Sequence, residues 1–255
     1  MSGHSHAKTI MATKTANDAK KGKIYSKYGR LITIAVKEGG GSGDPTKNSK
    51  LKTAIEQAKT MNMPKENIER AIKKGTGELV GEALETVSYE GFGPGGIAII
   101  INGITDNTNR ALGEIKAILN QNGGKMAGEG AVRWMFDRKG IITVLLDGKT
   151  KEELELLAIE LGAEDVSSHE NTVDIYTKPE ELETIKKALE EKFRLLNNRE
   201  SSTESGQIEI ESASLDYIAK EEVIISEKEK EQAQRLFEAL DENEAVNDIY
   251  SNSKN

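Results

Sequence analysis

Apolar residues in the first third of the chain recur at helical spacing and predict three short amphipathic helices. The first apolar stripe spans residues 24–35 and ends before the glycine run that begins at Gly39. The second stripe spans 51–61, and a third helix begins at Pro64, with Gly75 beyond its end. Because one-sided stripes must be buried against something, the pattern predicts that these helices pack together as a small bundle.

After residue 76 the spacing changes to that of strands. Residues 84–90 and 97–103 predict two strands, and the second is apolar enough to lie centrally in a sheet. Asp106 is expected to cap a helix that ends near residue 120. Residues 131–136 predict a third strand.

Residues 140–213 show a more regular alternation of strand and helix patterns. Strands are predicted at 140–146, 165–169, 172–177 and 207–213, and helices at 150–161 and 177–193. This order, β-α-β-β-α-β, is that of the split βαβ or ferredoxin-like unit.

The end of the chain holds one more helix and one more strand. Ser226 with Glu229 forms a capping box that begins the helix, and residues 246–250 predict the strand. The buried residues of the helix would be Ala233, Leu236, Phe237 and Leu240. A lone helix and strand cannot form a domain after a completed unit, so we expect them to return to the sheet of residues 80–136. The β-α-β-β-α-β unit would then be an insertion.

Composition excludes several classes of protein. The 255 residues contain no cysteine, which excludes a disulfide scaffold, a thiolate zinc site, an iron–sulfur cluster and a cysteine nucleophile. The longest uncharged apolar run is about seven residues, against the ~20 that a membrane-spanning helix needs. The first residues are hydrophilic and show no signal peptide, so we expect a cytoplasmic protein without a membrane partner.

Charge is distributed very unevenly. Residues 1–76 contain 16 Lys+Arg and 6 Asp+Glu, a net charge of +10, whereas the remaining residues have a net charge of −18. A basic segment of this size predicts a polyanionic partner. The alternative is a solvated helix face, but such faces usually carry interspersed acids, and Asp18 is the only acid among the first thirty residues.

Eleven basic residues are the predicted nucleic-acid contacts. Arg110 stands out because a cation in the first turn of a helix is disfavoured by the helix dipole, and Lys125 follows a double-glycine turn. For both, an ordinary surface position is the competing interpretation. The full set is Lys8, Lys14, Lys20, Lys21, Lys23, Lys27, Arg30, Lys73, Lys74, Arg110 and Lys125.

Motifs for enzymes and cofactors are weak. Residues 91–96 read G-x-G-x-x-G, but a strand follows where a dinucleotide-binding turn needs a helix. His4 and His6 have too few potential partner ligands for a structural metal site. Glu90 and Asp106 could approach each other at adjacent strand ends, which the sequence leaves open. We therefore predict no enzyme activity, no catalytic residue, no cofactor, no metal and no small-molecule substrate.

A set of short motifs spread over the chain resembles the YebC family in order and spacing. Each motif is modest alone, but together they cover nearly the whole chain. They are Gly3-His4-Ser5, residues 18–23, Asn62-Met63-Pro64, residues 68–75 and 89–96, Asp106-Asn107 with Asn109-Arg110, residues 123–136, Lys139-Gly140, residues 162–166, and Val246 with Tyr250-Ser251-Asn252.

The resemblance implies an α+β chain with three domains. These are an N-terminal three-helix bundle (1–78), a middle α+β domain (79–138 and 222–255), and a ferredoxin-like (βαββαβ) domain (139–221) inserted into the middle domain. It also implies a non-enzymatic regulator of gene expression that acts on promoter DNA or in translation on the ribosome.

The chain departs from the family pattern near its start. His6-Ala7 stands where the family usually has lysine and tryptophan, and Ala12-Thr13 where it has histidine and arginine. A stacking aromatic residue is worth roughly 1–3 kcal/mol per base, so affinity or target could differ from those of relatives. Lys125 replaces a common asparagine.

The charge pattern favours RNA over DNA as the partner. A body with a net charge of −18 repels most of a DNA duplex, and the sequence shows no helix with base-reading residues at the required spacing. A cleft of the ribosome can contact the basic end alone. We therefore expect a translation factor on ribosomal RNA, with ribosomal proteins as further partners. A DNA-binding transcriptional regulator is the alternative.

Overall fold

The computed structural model describes residues 18–81, 83–146, 151–169, 171–199 and 209–254. Over these residues the chain is a mixed α+β protein with seven α-helices and eight strands in two sheets. Contacts divide it into two compact units, one formed by residues 137–218 and the other by the residues on either side.

Three helices begin the described chain: α1 (Asp18–Glu38), α2 (Ser49–Thr60) and α3 (Lys65–Thr76). They pack around a common core that includes Ile32, Val36, Leu51 and Ala58, all fully buried. The predicted packing of these three helices is confirmed, and of the four core residues only Val36 lies outside the predicted apolar stripes.

Gly75 corrects one predicted boundary. It lies inside α3, and the helix ends instead at Gly77, which adopts a left-handed conformation with φ 83°. A Cβ atom at Gly75 would lie 2.6 Å from Val36 Cβ and 3.0 Å from the Thr33 carbonyl oxygen. Gly75 is therefore required by the close crossing of α3 and α1, and it is not a stop signal.

We predict that Gly75→Ala destabilises the protein even though alanine is the better helix former. The new contact with Val36 should overpack the helix crossing and cost about 1–3 kcal/mol of stability, which exceeds the ~1 kcal/mol that alanine gains in helix propensity. Gly113→Ala is the matched control, because a Cβ atom there meets nothing within 4 Å. Chemical denaturation should show a loss for the first variant and a small gain for the second. A gain for both would contradict the packing argument.

The first sheet has the order β3-β1-β2-β8 and its three pairings are antiparallel. Its strands are β1 (Glu85–Phe92), β2 (Ala98–Thr105), β3 (Lys125–Ala127) and β8 (Val246–Ser251). Helices α4 (Thr108–Gln121) and α7 (Glu227–Asp241) pack against it. As predicted, β2 is central and buried, and the last helix and strand return to this sheet.

The sequence prediction for α7 is confirmed in detail. Ser226 and Glu229 form the capping box, and the four predicted core residues are all buried. By contrast, α4 is capped by Asn107, whose side chain accepts a hydrogen bond from the Arg110 N–H, and not by Asp106.

The predicted strand at 131–136 is wrong. Residues Arg133–Met135 form a short 3₁₀ turn, and the next strand begins at Phe136. The reason is that the Glu90 carboxylate accepts the backbone N–H groups of Val132 and Arg133, which removes these donors from any strand ladder. The short strand β3 was not predicted.

The unit of residues 137–218 contains the predicted β-α-β-β-α-β order. Its elements are β4 (Phe136–Leu145), α5 (Lys151–Glu160), β5 (Asp165–Ser168), β6 (Thr172–Thr177), α6 (Leu182–Arg199) and β7 (Glu209–Ala219). The sheet order is β5-β6-β4-β7, and β6 pairs antiparallel with β4 and β5. Helix α6 begins five residues later than predicted, after a turn in which the Glu181 N–H bonds to the Lys178 carbonyl.

Candidate nucleic-acid interface

The predicted basic residues of the first helix have different surroundings. Lys8 and Lys14 lie outside the described residues, and only the backbone of Lys20 is described, in the first turn of α1. Lys21 and Lys23 are exposed on the same helix. Lys27 contacts Asp241, the last residue of α7, and Arg30 contacts Glu244 in the turn that follows it.

Lys27 is a structural residue and is withdrawn from the predicted phosphate contacts. Its side chain is 6 % exposed, and Nζ donates to the backbone carbonyl of Asp241 and, at 3.0 Å, to its Oδ1 atom. Burial lowers the pKa of Lys27 below its ordinary value, and the Asp241 charge opposes that change. An ammonium group enclosed in this way cannot reach a phosphate without breaking its ion pair.

Arg30 is also engaged within the protein, but less completely. Its Nη1 atom donates to the backbone carbonyl of Glu244 at 2.9 Å, and Nη2 donates to the Glu244 carboxylate at 3.2 Å. The Arg30 side chain is 15 % exposed, while that of Glu244 is 63 % exposed. The partner of Arg30 is thus a solvated carboxylate that another anion could replace.

Helices α1 and α3 enclose a groove with a volume of about 390 Å³, which we call the α1–α3 groove. Three cations line it: Arg30 from α1, and Arg70 and Lys74 from α3. Among the described residues that line it, none is acidic. The groove is therefore a positively charged concavity of the helical part of the chain.

Arg70 was missed by the sequence prediction, although a signal existed. It precedes Lys74 by four residues, so the two side chains emerge from the same face of α3, away from buried Ile68. Lys73 and Lys74, which were predicted, are both exposed in the last turn of α3. Cations in the last turn of a helix also interact favourably with the helix dipole, which gives these two lysines a second, structural role.

Arg110 and Lys125 do not join this groove. Arg110 lies in the first turn of α4, whereas Lys125 lies beyond the C-terminal end of this helix, whose 14 residues span about 21 Å. The Arg110 guanidinium pairs with the Asp106 carboxylate, which explains a cation in the first turn without an external anion. Lys125 Nζ lies 5.5 Å from the centre of the Phe92 ring, in a cation–π contact.

Glu90 and Asp106 do not form a catalytic pair. In the β1–β2 register, Glu90 faces Ile100 while Thr105, which precedes Asp106, faces Glu85, about 17 Å along the strand at ~3.4 Å per residue. The buried Glu90 carboxylate instead accepts backbone N–H groups from Gly130, Val132 and Arg133 at 2.8–3.0 Å. Burial alone would raise the pKa of Glu90, but these donors and the Arg133 charge lower it overall.

Trp134 is a second exposed feature that the sequence prediction did not single out. It is the only tryptophan of the chain, and it is 66 % exposed. Its indole N–H donates to the Ala131 carbonyl at 3.0 Å, so the ring is held in place at the surface.

The described residues contain no group of three or more potential metal ligands. In that same part of the chain, every helix is too short or too polar to cross a membrane.

Comparison with protein-family models assigns two consecutive parts of the sequence. Residues 5–78 match the TACO1/YebC protein N-terminal domain, and residues 84–253 match the TACO1/YebC second and third domain. The chain belongs to the TACO1/YebC family. The family resemblance inferred from the sequence motifs is thereby confirmed.

Individual relatives of this TACO1/YebC chain agree with the assignment. A probable transcriptional regulatory protein of Caldanaerobacter subterraneus subsp. tengcongensis is 43 % identical over 253 residues, covering 99 % of this chain and 98 % of that protein. One from Thermotoga maritima is 42 % identical, with 99 % and 93 % covered. A crystal structure of a conserved hypothetical protein from Aquifex aeolicus matches with a TM-score of 0.79, 40 % identity, and 94 % and 93 % covered. The Caldanaerobacter and Thermotoga relatives are thus named as probable transcriptional regulators, whereas the name of the Aquifex structure gives no function.

Proposed function

We propose that this TACO1/YebC chain is a non-enzymatic, cytoplasmic regulator of gene expression that binds RNA on the ribosome through its basic helical part. That part is the domain of residues 1–78, and the ferredoxin-like unit is an insertion into the middle domain. Neither a cofactor nor a small-molecule substrate belongs to this function.

One observation carries the proposal. Within the described residues, the exposed side chains of Lys23, Arg70, Lys73 and Lys74 have no ion-pair partner, and two of these cations line a groove without acids. These cations belong to a segment, residues 1–76, with a net charge of +10 in a chain whose net charge is −8. An excess of positive charge on one part of an acidic protein indicates an external polyanion.

Charge also supports RNA as the polyanion. The part of the chain beyond residue 76 has a net charge of −18, and this charge opposes lying along a DNA duplex. A cleft of ribosomal RNA can contact the helical part alone, with basic ribosomal proteins facing the acidic part. The names of the relatives favour the alternative, a DNA-binding transcriptional regulator.

Salt dependence of binding tests the proposal. We expect the full chain to co-sediment with ribosomes, with an affinity that falls steeply as salt rises. Replacing Lys20, Lys21 and Lys23 with glutamine should flatten the log–log salt slope by about 2 if all three contact single-stranded phosphates, at ~0.7 per contact.

The matched control is a variant in which three exposed lysines outside the helical part, Lys116, Lys178 and Lys254, are replaced with glutamine. It should leave the salt slope of ribosome binding unchanged. A promoter duplex is measured alongside the ribosome. A slope change confined to the duplex would select the transcriptional alternative. Wild-type slopes in the first variant, with an unchanged thermal melt, would reject the lysines as contacts.

A further inference from the structure

The α1–α3 groove has the size of a small-ligand site. Its volume of about 390 Å³ lies in the range of roughly 300–1,000 Å³ that is typical of such pockets. Gly22 and Gly29 lie on the α1 side, so no side chain of theirs narrows the groove. A single nucleotide is a ligand of suitable size, whereas a stacked base pair is not.

The cations of the groove suit a phosphate group. Arg30 and Arg70 present planar guanidinium groups, which can bind phosphate through two hydrogen bonds, and Lys74 adds a point charge. The described lining contains no carboxylate, so a phosphodiester would meet Arg70 and Lys74 without an acid of the lining as a competitor.

The remaining lining suits the organic part of a nucleotide. Tyr25, Met63 and Leu84 provide an aromatic ring and apolar surface, while Ser26 and Asn67 provide polar groups. The Tyr25 hydroxyl donates to the Asn62 carbonyl at 2.9 Å, which fixes the position of the ring. The unpaired bases of a single-stranded nucleic acid can stack on aromatic side chains of a protein, whereas the bases of a duplex are already stacked on each other.

Glu244 already neutralises one of the three cations. Its carboxylate accepts from Arg30 at 3.2 Å and is more than half exposed, so a phosphodiester, which carries the same single charge, would compete only with a weak, solvated ion pair. The backbone carbonyl of Glu244 also accepts from Arg30, and this bond can persist when the carboxylate leaves.

We propose that the α1–α3 groove binds one nucleotide of single-stranded RNA, with Arg30, Arg70 and Lys74 on its phosphate and with Glu244 as the internal acid that the phosphate displaces. The proposal rests on the proposed function, because it names the site through which RNA is held.

Binding of a short, unstructured RNA oligonucleotide to the full chain tests this site, with a DNA duplex as the comparison probe. Replacing both Arg70 and Lys74 with glutamine should weaken RNA binding at least tenfold at low salt and flatten the salt slope by up to ~0.7, the value for one neutralised phosphate. Glu244→Gln should strengthen RNA binding several-fold. Lys65→Gln is the matched control, because Lys65 lies on the same helix outside the groove and is exposed.

The outcomes separate the site from the function. RNA binding that is unchanged in the Arg70/Lys74 variant would show that the groove is not the RNA site, but it would leave the proposed function standing. An equal loss of binding in Lys65→Gln would also contradict the groove as the site. Weaker RNA binding by Glu244→Gln would contradict the proposed competition between the Glu244 carboxylate and the RNA phosphate. A wild-type chain that binds the duplex but not the RNA overturns both. A thermal melt of each variant excludes misfolding as the cause of a loss.

Discussion

Lys27→Ala should lower the free energy of unfolding by about 3–5 kcal/mol, the usual cost of removing one partner of a buried ion pair. The change leaves the Asp241 carboxylate, whose side chain is 12 % exposed, without its 3.0 Å contact. It also removes a donor from the Asp241 backbone carbonyl. Chemical denaturation of the full chain measures the effect.

A surface ion pair provides the control for Lys27. Lys50 Nζ lies 2.6 Å from the Glu38 carboxylate, closer than Lys27 to Asp241, but the two side chains are 64 % and 39 % exposed. Lys50→Ala should therefore cost no more than about 1 kcal/mol. Replacing Lys27 with methionine and Asp241 with leucine together should recover most of the lost stability, because no buried charge is left unpaired. Equal losses for Lys27→Ala and Lys50→Ala would contradict the assigned structural role.

The Lys27→Ala variant also distinguishes the two interpretations of Lys27, as a phosphate contact or as a buried structural residue. A phosphate contact would flatten the salt slope of RNA binding, whereas a buried structural residue would leave the slope unchanged as long as the protein is folded. Measurements well below the melting temperature of the variant make this comparison possible.

Lys27 shows what a sequence can and cannot reveal about a basic helix. It lies three residues after Ile24 and four before Leu31, which places it on the buried stripe of α1, so the sequence already separates it from the exposed lysines. Its partner, however, is 214 residues away. Local periodicity can thus indicate that a lysine is buried, but only the tertiary fold shows what compensates its charge.

Regular patterns were predictable because local and tertiary preferences agree. The capping box at Ser226 and the apolar face of α7 were correctly predicted, as was the return of β8 to the first sheet. Gly75 was misread because a glycine at a helix crossing and a glycine at a helix end look the same in one sequence. The α1–α3 groove was not predictable, since Arg30 and Arg70 are brought together only by the packing of two helices.

Glu90 is a buried acid whose structural role only the tertiary fold reveals. Its carboxylate holds the loop of residues 128–135 by accepting three backbone N–H groups, and Arg133 Nε lies 3.4 Å from Oε1. Glu90→Gln should cost about 3 kcal/mol, because three charge-assisted hydrogen bonds become neutral or are lost, and the new amide N–H₂ faces backbone donors. The exposed Glu85 on the same strand is the control, and Glu85→Gln should change stability by less than about 0.5 kcal/mol.

The pH dependence and the single tryptophan make the Glu90 prediction specific. Because the folded-state pKa of Glu90 lies below the ordinary value of 4.5, its stabilising effect is present above pH 4.5 and is lost as the pH falls through the folded-state pKa. The difference between the wild type and Glu90→Gln should therefore shrink in acid. Trp134 lies in the loop that Glu90 holds, so its fluorescence should report a more mobile environment in the variant at neutral pH. A stability difference that is independent of pH, with unchanged Trp134 fluorescence, would contradict this role.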